Sequence, residues 1–100
     1  MCTLVACEQG ANEDKFLGTW VSSSGGTTIM YTFKKDTDGT YSASCSTSQS
    51  YGTPKVYLFE KYTASGKVVT FYQNGKQTKN YYSFEGGYLY LDNLEFEKWK

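Results

Sequence analysis

Three short stretches decide how this chain folds: Gln73-Asn74-Gly75-Lys76, Glu85-Gly86-Gly87-Tyr88 and Leu91-Asp92-Asn93-Leu94. Asn-Gly and Gly-Gly are the preferred centres of two-residue type I′ turns, and Asp-Asn tolerates the same left-handed backbone. A two-residue turn also sets register, because it dictates which residues of the two strands oppose each other. Asn74-Gly75 predicts Gln73 opposite Lys76, Phe71 opposite Thr78 and Val69 opposite Asn80. Gly86-Gly87 places Phe84 against Leu89 and Tyr82 against Leu91. Asp92-Asn93 places Leu91 against Leu94 and Leu89 against Phe96. The three turns together put Val69, Phe71, Tyr82, Phe84, Leu89, Leu91, Leu94 and Phe96 on one face, so that face is the core.

Upstream, Thr37-Asp38-Gly39 suits a three-residue hairpin loop with Gly in the left-handed position. It sets Phe33 opposite Ala43 and Tyr31 opposite Cys45, and turns Ile29, Tyr31, Phe33, Ala43 and Cys45 inward. β-rich runs alternate with turns about every ten residues from Phe16 onward, and no segment shows a helical period. That spacing predicts an all-β fold, a small eight-stranded antiparallel meander barrel. The strands fall near 16–22, 27–35, 40–47, 55–62, 67–73, 76–84, 88–92 and 94–99. Within 55–62 the facing stays open: Val56, Leu58, Glu60 and Tyr62 share one side, Tyr57, Phe59 and Lys61 the other. An inward even side would bury the Glu60 carboxylate and raise its pKa; an outward one leaves it solvated.

The chain has 100 residues, enough for one domain, with ten basic and ten acidic side chains and no His. Neutral charge without a basic stripe excludes a nucleic-acid binder. Absence of His removes Ser-His and Cys-His catalysis and imidazole metal sites. Acid pairs such as Asp36 with Asp38, or Glu95 with Glu97, sit in a turn and on an outer strand face, so no catalytic residue, metal site or cofactor is expected. Asp36-Thr37-Asp38-Gly39 has oxygen ligands, but a turn selects the same residue types.

Leu4-Val5-Ala6-Cys7 resembles the bacterial lipobox, with an apolar residue three positions before the cysteine and a small one just before it. The resemblance implies acylation of Cys7, cleavage ahead of it and attachment to the membrane through lipid, in the bacterial cell envelope, on its periplasmic or exposed side. Residues 1–6 then read as a remnant of a signal peptide, and with only six residues before Cys7 an earlier start is expected. Residues 7–15 read as lipidated Cys and flexible tether, and residues 16–100 as the domain. Cys45 is left as the single thiol of the domain, a small buried hydrophobe.

Gly18-Thr19-Trp20 at the head of the meander resembles the lipocalin-like superfamily and the short lipocalin-like domains of bacterial lipoproteins. The resemblance implies that Trp20 packs against the barrel floor. Two departures stand out: the Thr-Asp-Tyr motif of larger lipocalins is absent, and their later Arg has no counterpart. Eight strands enclose a space that side chains can just fill, so the interior is expected to be closed. The polar inward positions Thr78 and Asn80 would suit a wet pocket.

Register sends Val68, Thr70, Tyr72, Tyr81, Tyr88 and Tyr90 outside. Tyr72, Tyr81, Tyr88 and Tyr90 form the candidate binding patch, since tyrosine pairs contact area with a polar tip. The second candidate is the loop 46–55, with Tyr51, Gly52 and Pro54 at its tip. The expected function is a binding module for a protein or peptide partner, in monomeric form. Compact bacterial barrels of this size include inhibitors of secreted peptidases, which makes inhibition one version. The alternative is a carrier of a small apolar or amphipathic ligand inside the barrel.

Overall fold

The computed structural model describes residues 11–49 and 52–99. A helical turn α1 (Ala11–Asp14) precedes β1 (Gly18–Ser24), β2 (Thr27–Lys35), β3 (Tyr41–Gln49), β4 (Lys55–Phe59), β5 (Lys61–Ala64), β6 (Val68–Gln73), β7 (Lys76–Glu85), β8 (Tyr88–Leu91) and β9 (Leu94–Lys98). They form one antiparallel sheet in the order β4-β3-β2-β1-β9-β8-β7-β6-β5, wound into a nearly closed barrel. The first and last strands pair, with Trp20 opposite Lys98.

The turn chemistry sets every register it addressed. Phe71 faces Thr78, Phe84 faces Leu89, Leu91 faces Leu94 and Phe33 faces Ala43. Asn74 and Gly75 carry φ of 51° and 81°, and Asp92 and Asn93 carry 46° and 73°, the left-handed pairs a type I′ turn requires.

Nine strands replace the expected eight because the run 55–62 changes neighbours at Glu60. Before it, β4 pairs with β3, Tyr57 opposite Cys45 and Phe59 opposite Ala43. After it, β5 pairs with β6, Tyr62 opposite Phe71. Phe59 and Tyr62 therefore both turn toward the core, one from each parity, and the bend leaves Glu60 exposed. Its Oε1 accepts the Asn74 N–H at 3.1 Å and its own N–H donates to the Tyr72 carbonyl. Neither single facing describes this segment, and Glu60 is solvated.

Phe16, Phe33, Tyr62, Phe71, Leu89, Val69 and Phe96 are almost completely buried. Phe16 lies before β1 and plugs the closed end, its ring centroid 4.7 Å from Tyr82 and 5.1 Å from both Phe33 and Phe84. Trp20 is buried: its indole N–H donates to the Phe16 carbonyl at 2.7 Å, and the Lys98 ammonium sits 4.6 Å from its ring. Gly18 makes this closure possible, with φ of 115° and a position where a Cβ would fall 2.6 Å from Lys98 Nζ.

Three expectations need correction. Leu94 is 37% exposed instead of buried, because it begins β9 at the open rim. Thr78 is exposed, because β7 pairs with β8 only from Tyr82 to Glu85 and its first half, paired with β6 alone, extends past the end of β8. Thr70 faces outward yet is buried to 8%, lying between Thr63 and Lys79 of the flanking strands. In the stretch read as tether, residues 11–14 form α1, which is docked on the barrel. The Tyr62 hydroxyl donates to the Glu13 carbonyl at 2.9 Å, and Glu13 Oε2 accepts the Ala64 N–H at 2.7 Å. Cys2 and Cys7 lie outside the described residues.

Candidate functional site

The outer face of β7 and β8 carries the tyrosine patch, and the structure divides it. Tyr81 and Tyr90 line one open hollow of about 440 Å³ together with Ser83, Glu85, Asp92 and Asn93. Tyr88 lies beyond this hollow, opposite Glu85 and Glu97. Tyr72 is opposite Gln77, four residues along the strand from Tyr81 or about 13 Å. The Lys61 ammonium stands 5.3 Å from the Tyr72 ring. The four tyrosines thus separate into one adjacent pair and two outliers.

Tyr81 is 71% exposed, the most exposed of the large apolar side chains. Its backbone is held firmly nonetheless. Asp92 Oδ1 accepts the Tyr81 N–H at 3.0 Å, the Asp92 N–H donates back to the Tyr81 carbonyl at 3.0 Å, and Asp92 Oδ2 accepts from the Asn80 amide. One turn residue therefore shapes the β8–β9 hairpin and fixes the platform beside it. That second role is hidden from turn rules, which treat Asp92 only as a left-handed residue. The Tyr90 hydroxyl donates to Glu95 at 3.5 Å. Desolvation, then the Glu95 and Glu85 carboxylates, push the Tyr90 phenol above its ordinary value.

A second outer feature escapes the sequence reading. A trough of about 500 Å³ runs along the outer side of β3 and β4, with Lys34, Ser42, Ser44, Leu58, Glu60 and Gln73 among its walls. Serines at alternate positions of β3 keep its floor low. On the same strand as Leu58, Val56 and Tyr57 are also exposed, at 62% and 43%. The signal was present in Lys55 to Phe59, a run with no charge after Lys55, but its facing could not be read before the neighbour switch at Glu60 was known.

The barrel interior is occupied by aromatic rings. Tyr31, Phe33, Phe59, Tyr62 and Phe71 contact one another with centroids 4.8 to 6.4 Å apart. At the open end a hollow of about 220 Å³ remains, lined by Ile29, Tyr31, Leu91, Leu94, Phe96 and the rim residue Asn80. Cys45 is buried beside Tyr31, and burial raises its thiol above the ordinary range. In the 37–39 turn the Asp38 carboxylate accepts the Thr40 N–H at 2.9 Å, which is the turn-forming role. In the long loop Tyr51 lies outside the described residues, while Gly52 and Pro54 are exposed, and Gly52 borders an open hollow of about 430 Å³ with Thr47, Gln49, Thr53, Lys55 and Tyr57.

No described helix is long and apolar enough to cross a membrane, and no three His, Cys, Asp or Glu side chains among the described residues are placed to share a metal ion. Compared with known proteins, the chain matches no family model, no curated protein and no solved structure.

Proposed function

We propose that this chain is a lipid-anchored lipoprotein of the bacterial envelope whose lipocalin-like barrel is a binding module for a protein or peptide partner. Docking takes place on the outer face of β7 and β8, at Tyr81 and Tyr90. The observation that carries the reading is Tyr81: an aromatic ring 71% exposed on backbone clamped by Asp92. A rigid, exposed aromatic loses little conformational freedom on binding and offers a large contact area, which is how interface anchors work.

The interior supports docking outside over carriage inside. The open-end hollow of about 220 Å³ falls below the roughly 300 Å³ at which ligand pockets begin. Inhibition of a secreted peptidase is the concrete version of the proposal, and the anchor rests on the Leu4-Val5-Ala6-Cys7 motif.

The test is capture from an envelope extract of the source bacterium by the wild-type chain and by a Tyr81→Ser, Tyr90→Ser double variant. Two interface anchors at about 2 kcal/mol each predict a loss of capture of about 700-fold, with near-ultraviolet circular dichroism showing that the core is intact. Equal capture by both chains would sink the reading. Mass spectrometry of the full-length gene product tests the anchor separately, with acyl chains expected on Cys7.

A further inference from the structure

Three residues separate Cys7 from α1. Four residue steps span at most about 14 Å even when fully extended, so a lipid on Cys7 would hold α1 within that distance of its bilayer. α1 itself is tied to the barrel at several points. The Glu13 carboxylate takes the Ala64 N–H, and the Asn12 side chain donates to the Ala64 carbonyl. The Tyr62 hydroxyl donates to the Glu13 carbonyl and the Tyr41 hydroxyl to the Asp14 carboxylate. From α1 the chain runs straight into the plug, with the Phe16 and Leu17 N–H groups donating to the Glu13 and Asp14 carbonyls at 3.1 and 3.2 Å. The leash therefore ends at the closed end of the barrel, where Phe16 is packed.

Trp99 stands at that same end. Tyr88 opposite Glu97 is the last pair between β8 and β9, so Trp99 lies past the end of β8. Its N–H donates to the Thr19 carbonyl at 2.7 Å, beside the start of β1, yet its side chain is 61% exposed. Tryptophan joins a large apolar body to a single N–H donor, and it is enriched at the headgroup level of bilayers. Nearby charge does not decide what it meets. Lys98 is committed to the Trp20 ring and the Leu17 carbonyl, and Lys15 and Lys35 have Asp14 and Asp36 beside them in the chain.

We propose that the closed end of the barrel rests on a lipid bilayer, with Trp99 seated among the headgroups. This rests on the reading of Cys7 as the anchor and extends it: the leash sets the distance to the lipid, and the indole sets which end faces it. The Trp99 backbone is already bonded to Thr19, so little freedom is lost when the ring is seated. From Trp99 back to Leu94 at the open rim, β9 rises five residues, about 17 Å. The Asp92 turn just beyond Leu94 holds Tyr81. The open mouth and the Tyr81 face then stand off the membrane, toward a partner in the aqueous phase.

The test uses the full chain with Cys2→Ser, coupled through Cys7 to a maleimide-bearing lipid in phosphatidylcholine vesicles brominated near the headgroup, with buried Cys45 left in place. Chemical coupling separates orientation from natural acylation, which mass spectrometry of the gene product decides by itself. Bromine quenches an indole only at close approach. With two tryptophans in the chain, seating Trp99 should remove about half of the emission. Trp99→Phe, at an exposed position, should lose almost none, because Trp20 is buried in the barrel. A Trp99→Phe, Tyr81→Trp variant carries the exposed indole toward the open rim and should also keep its emission. No quenching with Trp99 in place, or equal quenching from positions 81 and 99, would overturn the proposal and leave the anchor reading intact. Missing acyl chains on Cys7 of the natural product would remove the anchor, and this contact with it.

Discussion

Replacing Phe16 with Ala tests whether the closed end of the barrel is a packed plug. The side chain is fully buried, and its ring meets Phe33, Tyr62, Tyr82 and Phe84 with centroids 4.7 to 5.9 Å away. Removing the ring leaves those four without a common partner and opens a cavity that rigid strands cannot collapse to fill. Large-to-small substitutions of buried Phe cost about 3–5 kcal/mol. The Trp20 bond goes to the Phe16 backbone carbonyl and survives the change, so the whole loss belongs to the ring. Small domains hold about 5–15 kcal/mol in total, so the variant keeps a modest remainder. Its melting temperature should fall by about 15–30 °C, at about 4–8 °C per kcal/mol for a domain of this size. Urea unfolding followed by tryptophan fluorescence gives the free-energy loss and thermal unfolding followed by circular dichroism the melting temperature, and Phe16→Leu should lose less than half as much. A Phe16→Ala loss below about 1 kcal/mol, the range of surface substitutions, would refute the plug.

Gly18→Ala should destabilise by about 1–3 kcal/mol, since it forces a Cβ into a left-handed backbone and against Lys98. Adding Lys98→Ala should recover part of the loss, because the clash disappears while the backbone strain stays; strictly additive losses in thermal unfolding would disprove the contact. Burial raises the phenols of Tyr31, Tyr62 and Tyr82 and the thiol of Cys45 above their ordinary values. The folded state therefore keeps these protons longer than the unfolded chain. Their stabilisation is complete below the unfolded values, about 8.5 for Cys and 10 for Tyr, and is lost as pH rises toward the folded ones. Denaturant titrations should show stability independent of pH between about 6 and 8 and falling above about 9. Tyr62→Phe should make the decline shallower, and an unchanged alkaline limb in that variant would remove Tyr62 from the account.

How much was legible depends on what each residue's placement rests on. Turn residues act over four positions, so Asn74-Gly75, Gly86-Gly87 and Asp92-Asn93 sufficed to align four consecutive strands and to send Phe71, Leu89 and Phe96 into the core. Phe16 was missed because its burial comes from the far ends of other strands, with the segment before Gly18 bending across the floor. Leu94 was assigned to the core on parity alone; parity gives the direction of a side chain but not whether another strand covers it. The exposed pair Tyr81 and Tyr90 could be named from register, whereas their separation from Tyr72 depends on distance along the strand, which alternation does not record.

The switch at Glu60 shows where such reasoning stops, and why that point matters for function. A hairpin turn specifies contacts between consecutive strands, and each of its pairs consumes backbone donors and acceptors on the inner side of the hairpin. No turn lies between β4 and β5, so nothing local selects which neighbour each half takes. The chain solves this by dividing one run between two partners, β3 before Glu60 and β6 after it. Each half is then satisfied on one side only. For β5 the remaining side is met within the chain by Glu13 and Asn12. For β4 the Gln73 side chain reaches across to the Leu58 carbonyl, the one such bond among the described residues. Backbone groups left over in this way are strong and directional, and beside Val56 and Leu58 they are framed by exposed apolar side chains. The segment that local rules could not orient is for the same physical reason a part of the barrel with unspent hydrogen-bonding capacity, and it is separate from the outer face where Tyr81 stands.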